Sequence, residues 1–279
     1  VPGFGAEAGA ALVEHPGVDA ISFTGSTVVG KQIAASAAGT VKKVSLELGG
    51  KSPNIVFADA DLKAAVRGAS TGIFYGKGEV CAAGSRILVE RSIHDEFVEA
   101  LKGRAEGMTV GDPMEATTRL GAIVSEAQLD RVMGYVESGK DEGARLVTGG
   151  ERVQVNGAGN FVTATVFADV TPEMTIAQEE IFGPVAAVIP FDDVDDAIRI
   201  ANDTRMGLAA GVWTRDIGKA HRVARDLQAG IVWVNSYNMY DAGSPFGGYK
   251  ESGYGRDLGA QAAIEKYTQT KSVWVAVDG

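Results

Sequence analysis

The strongest constraint on this chain is a repeated alternation between short β-prone runs and longer amphipathic stretches. Apolar alternation marks strands at Asp19–Phe23, Val41–Glu47, Asn54–Phe57, Arg86–Glu90, Val185–Phe191, Gly211–Thr214 and Ile231–Asn235. Helical periodicity separates them. Ser92 opens one helix, with Asp95 as an approximate capping box and Ile93, Phe97, Leu101 and Ala105 on one face. Ser125 opens another with Gln128 at the matching position, burying Leu129, Val132, Met133 and Val136. Asp193–Asn202 and Ile217–Leu227 repeat the pattern. Strands that alternate with helices predict an α/β protein built on a largely parallel sheet.

At 279 residues the chain can bury one large core or two modest ones. Its net charge of −10, without a basic stripe, argues against nucleic acid or an anionic membrane surface as partner. No apolar run approaches the roughly twenty residues that span a bilayer. A single cysteine excludes a disulfide framework, and the scattered His15, His94 and His221 suggest no metal cluster, so a reducing, cytoplasmic compartment fits best. The amino terminus, Val1-Pro2-Gly3, reads as the interior of a protein and carries no signal-peptide pattern. The final run, Ser272–Val277, is β-prone with apolar residues on both faces. It suits either an edge strand of its own sheet or a strand covered by another subunit.

Several runs could carry chemistry. Cys81 lies among Gly76, Gly78 and Gly84, in a loop that can expose the sulfur and aim amides at it. One reading is an inert buried thiol. The other is a nucleophile whose thiolate the amides stabilise, with a lowered pKa. His94, at a predicted helix start, caps or faces solvent and offers the thiol no base. Glu47 ends a strand on which Lys43, Ser45 and Glu47 share one face, opposite Val44, Leu46 and Leu48. It is either a solvated strand-end acid or, because Gly49-Gly50 implies a crowded interior, a buried carboxylate of raised pKa that deprotonates water. Phe23-Thr24-Gly25-Ser26-Thr27 feeds a strand into a helix through Val28, Val29, Ile33 and Ala37, where free N–H groups suit a pyrophosphate or Ser26 simply caps. Gln178-Glu179-Glu180-Ile181-Phe182-Gly183-Pro184 puts paired acids before an aromatic at a turn, and Pro245–Gly253 is a loop that could line a cleft.

In this order, Phe23–Thr27, Glu47–Pro53, the segment around Cys81, Glu179–Val185 and Pro245–Gly253 resemble the aldehyde dehydrogenase superfamily, and the resemblance spans essentially the whole chain. It implies a parallel-sheet catalytic domain at residues 50–255, a remnant of a Rossmann-like cofactor domain at 1–49, and a C-terminal helix and oligomerisation strand at 256–279. Cys81 would attack an aldehyde to give a thiohemiacetal and then a thioester, which water activated by Glu47 hydrolyses to the acid. The Cys81 N–H would supply half of an oxyanion hole. NAD is the implied cofactor, with NADP as the alternative. Gly25 and Ser26 would meet its pyrophosphate, Glu180 its nicotinamide ribose and Phe182 its ring, with Leu48 also among the cofactor-binding residues. Lys51 and Pro53 would be structural. Tyr75, Val80, Ala82, Tyr237, Met239 and Tyr240 would line the aldehyde tunnel, and the full-length protein would be a homodimer or homotetramer.

The resemblance also implies that upstream residues normally complete the cofactor fold, hold the adenosine ribose and add an asparagine to the oxyanion hole. The 279 residues alone should therefore bind cofactor poorly and turn over little. The chain departs from the family in Gly76, where asparagine is usual, in Glu79, where glutamine is usual and whose charge would oppose a thiolate if it points inward, and in Val28, in place of a frequent acid. Two other readings compete: a CoA-acylating or phosphate-reductase relative, which needs no water-activating acid, and a non-catalytic subunit of the same fold.

Overall fold

The computed structural model describes residues 1–277. Its strands are β1 (Ala20–Thr24), β2 (Lys43–Glu47), β3 (Pro53–Val56), β4 (Arg86–Glu90), β5 (Arg145–Thr148), β6 (Arg152–Val155), β7 (Ala158–Val162), β8 (Thr165–Ala168), β9 (Val185–Phe191), β10 (Met206–Gly207), β11 (Ala209–Trp213), β12 (Ile231–Val234), β13 (Tyr249–Lys250) and β14 (Gly253–Tyr254). The helices are α1 (Ala10–Glu14), α2 (Thr27–Ala38), α3 (Leu62–Phe74), α4 (His94–Glu106), α5 (Glu126–Asp141), α6 (Thr175–Gln178), α7 (Val194–Asn202), α8 (Ile217–Asp226) and α9 (Ala260–Tyr267).

The main sheet has seven strands in the order β12-β11-β3-β4-β9-β8-β5, all parallel except the antiparallel β5–β8 pair. Its central strands are apolar almost throughout because both faces are covered. Successive side chains alternate between the two layers. Leu88, Val185, Ala187 and Ile189 pack on the side of α5, α7 and α8. Ile87, Val89, Ala186 and Val188 pack on the side of α3 and α4. A second sheet orders β1-β2-β14, with β1 and β2 parallel and β14 antiparallel. Residues 253–254, far along the chain, thus complete the sheet that begins near the amino terminus. The remaining pairs, β6–β7 and β10–β13, are antiparallel.

The two sheets meet edge to edge. Thr24 and Glu47 end β1 and β2, whereas Ser52, Ser85 and Pro184 immediately precede β3, β4 and β9. The carboxyl edge of the small sheet therefore faces the amino edge of the large one, and the glycine-rich loops around Gly49, Cys81 and Gly183 collect between them.

Several local expectations need correction. The second strand starts at Lys43 because Val41 adopts a left-handed φ of +55° and stands in solvent. Ser92 does not cap α4. The helix begins at His94 with no side-chain cap, and Ser92 Oγ instead faces Glu90. His94 is buried rather than solvated, with Nδ1 3.0 Å from Asp95. It follows the carboxyl end of β4 while Cys81 precedes its amino end, so the five residues of β4, about 16 Å of strand, hold the two apart. Residues 268–277 form no strand within the chain, and Trp274 is 95% exposed, so the own-sheet alternative for Ser272–Val277 fails.

Candidate active site

Cys81 is held by a short loop from α3 to β4 whose backbone is unusual. Gly76, Lys77 and Gly78 all adopt positive φ, of +58°, +63° and +72°. At Gly78 a Cβ would lie 2.1 Å from the carbonyl oxygen of Gly183, so glycine is required for both conformation and space. Gly78→Ala should cost roughly 2 kcal/mol or more of stability, read as a lowered urea midpoint. Gly76 has only the Val80 side chain nearby, and its left-handed φ is one that asparagine tolerates. The departure from the family at that position leaves the loop geometry intact.

Beneath the loop, Tyr237 is buried and its hydroxyl donates to the Ala82 carbonyl at 2.9 Å. Gly72, Gly84 and Gly211 all face its ring, where a Cβ would crowd it. Tyr237 and Ala82 therefore support the nucleophile from below and do not line an access tunnel. Tyr75 and Met239 stand in solvent. Tyr240 packs edge-on against both Trp233 and Phe246, and burial raises its hydroxyl to about 12. Phe246 packs with Cys81 against Ala82, Leu208 and Trp233.

The thiol has a pKa above its ordinary value, contrary to the lowered value expected from its glycine-rich loop. Burial raises it most, the Glu180 carboxylate adds to that, and Glu47 adds further. The amides of Ala82 and Cys81 do face the sulfur and pull the other way, but two nearby carboxylates and desolvation outweigh them. Glu79 is not the source. Its carboxylate pairs with Lys77 at 2.9 Å and accepts from the Val124 N–H at 3.0 Å, so it points away from the thiol.

Glu47 is 6% exposed, and both carboxylate oxygens are buried without a hydrogen-bond partner. Its pKa rises from 4.5 to about 8, chiefly by burial and then by Asp257, against the opposing pull of Arg256 and Lys266. At Gly247, with φ +158°, a Cβ would lie 2.6 Å from Glu47 Oε1, so the loop between β12 and β14 closes directly on the acid. The neighbours that set this pKa lie about 200 residues away in the chain, and nothing local in the sequence marks them. Protonated Glu47 is favoured by folding. That stability is fully present below about 4.5 and is lost as pH rises through about 8. Glu47→Gln should escape the loss, gaining on the order of 3 kcal/mol over the unaltered chain between pH 5 and pH 9 in urea titrations.

Adjacent acids split in role. Glu179 accepts from the Tyr135 hydroxyl at 2.7 Å and is exposed. Glu180 reaches the inter-sheet cleft, accepts from the Gly50 N–H at 3.3 Å and has a pKa raised by burial. A Cβ on Gly49 would fall 2.1 Å from Glu180 Oε2, which explains the glycine pair. Phe182 has φ +56° and is partly exposed. Ser125 caps α5 as expected, but the Gln128 side chain does not complete the box. Its Nε2 donates to the carbonyls of Ile181 and Phe182, fixing the Glu180–Phe182 turn.

Gly25 and Ser26 lie exposed at the start of α2, where Ser26 Oγ accepts from the Val29 N–H. The Leu48 side chain is buried against Gly30 of α2 and anchors that helix on β2, so only its main chain borders the cleft. Lys51 is 1% exposed with an unpartnered Nζ, and burial lowers its pKa to about 7, helped by the Arg86 charge. Among the described residues no group of three or more metal-ligating side chains occurs, and no helix is long and apolar enough to cross a membrane.

Residues 1–273 match the model of the aldehyde dehydrogenase family. The chain is 51% identical over 278 residues to a putative aldehyde dehydrogenase, DhaS, of Bacillus subtilis, covering 100% of this chain and 56% of that one. It is 52% identical over 270 residues to a betaine aldehyde dehydrogenase of Sinorhizobium fredii, covering 96% and 55%. The NAD+ complex structure of an aldehyde dehydrogenase from Bacillus cereus superposes with a TM-score of 0.97 at 52% identity, covering 100% of this chain and 56% of that one. The chain thus spans about half the length of the relatives it matches.

Proposed function

The chain belongs to the aldehyde dehydrogenase family, and from that premise we propose that it carries the acyl-transfer centre of an NAD(P)-dependent enzyme that oxidises an aldehyde to a carboxylic acid. One observation supports this most: Cys81 and an unpartnered, buried Glu47 of high pKa share a cleft, close enough for the acid's charge to be felt at the sulfur.

The residues present fit a dinucleotide. Gly25 and Ser26 lie exposed at the start of α2, with the Gly25 N–H donated to the Glu47 carbonyl, and the carboxylate of Glu180 occupies a cradle at Gly49–Gly50 that a Cβ would fill. Gly25 and Ser26 would hold the pyrophosphate, Glu180 the nicotinamide ribose, and Phe182 with the Leu48 main chain would border the ring. When bound, the nicotinamide supplies the hydride acceptor. NAD is the proposed cofactor, with NADP as the alternative.

The chain's own residues then act in order. The Cys81 thiol, protonated at rest, releases its proton to water as the sulfur adds to the aldehyde carbon. The Cys81 N–H stabilises the oxyanion that forms. The acyl group remains on the sulfur as a thioester. Glu47 takes a proton from water, the hydroxide adds to the thioester carbon, and the C–S bond breaks to release the acid. A base of pKa about 8 suits this step because it matches working pH without being fully charged at rest. A CoA-acylating route would leave that base unused. The 1–49, 50–255 and 256–279 division, and assembly as a homodimer or homotetramer through the exposed Ser272–Val277 run, belong to the same reading.

The test is p-nitrophenyl acetate, an activated ester that needs no cofactor. The expected result is a burst of p-nitrophenol and an acetyl group on Cys81 by mass spectrometry, then slow release of acetate at a rate independent of CoA. Acetyl-CoA as the product would sink the hydrolytic reading.

A further inference from the structure

The loop that carries Cys81 is strained, and two charged side chains hold it. Gly76, Lys77 and Gly78 pass through successive left-handed conformations. Glycine reaches them without penalty, but Lys77, at φ +63°, brings its Cβ against the following carbonyl. A non-glycine residue persists there only where its surroundings over-determine it, and such sites collect around reacting groups. Here the surroundings act through Glu79. Its N–H donates to the Gly76 carbonyl at 3.1 Å and closes the turn. One carboxylate oxygen pairs with Lys77 Nζ at 2.9 Å, and the other accepts from the Val124 N–H at 3.0 Å. The side chain of the acid is 8% exposed and that of the lysine 29%, so solvent screens the pair less than a surface one. The Val124 N–H is itself a fixed point. Leu120 and Ile123 before it are buried, the Ile123 N–H donates to the Asn160 carbonyl at 2.7 Å, and Ser125 caps α5 directly after. Glu79 therefore ties the nucleophile loop to the start of α5. On another side Gly78 abuts the Gly183 carbonyl, so the loop is held at two places.

Resting on the thioester reading above, we propose that Lys77 and Glu79 form a latch that holds the left-handed loop and so aims the Cys81 N–H at the oxyanion. Cys81 follows Glu79 by two residues, and the direction of its N–H is set by the rigid peptide plane that joins it to Val80. With both oxygens of Glu79 anchored, the chain leading into that plane has one path. Released, Lys77 relaxes toward negative φ, the loop shifts, and the donor leaves the place where the oxyanion forms. A displacement on the order of 1 Å is enough to slow the reaction by tenfold or more. Neither side chain touches substrate, so both are positioning residues, and no bond or proton changes hands in the latch.

The experiment measures p-nitrophenol release by the 279-residue chain in single turnover, with protein in excess over p-nitrophenyl acetate. Glu79→Ala should slow acylation about tenfold. Glu79→Gln keeps an acceptor for the Val124 N–H but cannot pair with an ammonium. It and Lys77→Met should each slow acylation about threefold. The Lys77→Met/Glu79→Gln double variant should be no slower than either single one, because both changes remove the same pair. Lys77→Arg, which keeps the charge, should retain the rate. Alkylation of Cys81 by iodoacetamide gives the second reading. Glu180 and Glu47, the carboxylates that act on the sulfur, are untouched, but in Glu79→Ala the amides that face it lose their aim, so the alkylation profile should move to higher pH. A carboxylate acting directly on the thiol would, on removal, move it to lower pH. Unchanged acylation in Glu79→Ala, additive losses in the double variant, or a profile moved to lower pH overturns the latch alone. If Glu79→Ala fails to fold, Lys77→Met, at a partly exposed position, decides by the same readings. An unaltered protein that acquires no acetyl group on Cys81 overturns the thioester reading, and this inference falls with it.

Discussion

Replacing Cys81 with alanine abolishes the p-nitrophenol burst and lowers turnover of ester or aldehyde by at least about a thousandfold. The size follows from the lack of a substitute nucleophile. Cys81 is the only cysteine of the chain, and the nearby hydroxyl of Tyr237 is buried, donates to a carbonyl and titrates far above neutrality. Melting should barely change, because a small partly buried thiol is removed and the loop is set by Gly78 and Tyr237. The same sulfur should react with iodoacetamide more slowly at pH 7 than a free thiol, with its rate rising at higher pH, since burial and Glu180 hold its pKa up. Slow alkylation therefore does not mark an inert subunit. Acyl transfer at full rate in Cys81→Ala would remove the sulfur from the mechanism.

Glu47→Gln should preserve the burst while slowing deacylation by about a hundred- to ten-thousandfold, so the acetyl-enzyme accumulates. The pH dependence carries the signature. In the unaltered protein deacylation rises as pH passes through about 8, because only the ionised carboxylate accepts a proton from water. The glutamine variant lacks that rise. Equal deacylation in the two proteins would make another group the base and leave Glu47 as a buried structural acid. The separation of burst from steady state matters here, since a misfolded variant loses both phases and a base-deficient one loses only the second.

Much of this was legible in the linear pattern. Leu88 and Val89 fall on opposite layers because side-chain direction in a strand is fixed by position parity. The same parity placed Ser45 with Glu47. Glycine pairs announced close approach at Gly49 and Gly50, and their partner proved to be Glu180 and the Cys81 carbonyl. Other features had no local signal. Gln128 looks like a capping residue, yet its side chain spans to the Ile181–Phe182 turn across more than fifty positions. Tyr237 looks like a tunnel wall and is a buried prop.

The sequence by itself determined which residues alternate inward and outward, where helices begin at Ser26, Ser125 and Asp193, and which loops are small enough to admit a reacting group. These are short-range matters, decided by sterics and hydrogen bonds within a few residues. Only the tertiary structure decided that a carboxyl edge meets an amino edge, that β14 closes the small sheet, and that Cys81 is raised rather than lowered in pKa. A titration reflects the sum of desolvation and charge from every neighbour in space. For Cys81 and Glu47 those neighbours, Glu180, Arg256, Asp257 and Lys266, are assembled from distant parts of the chain.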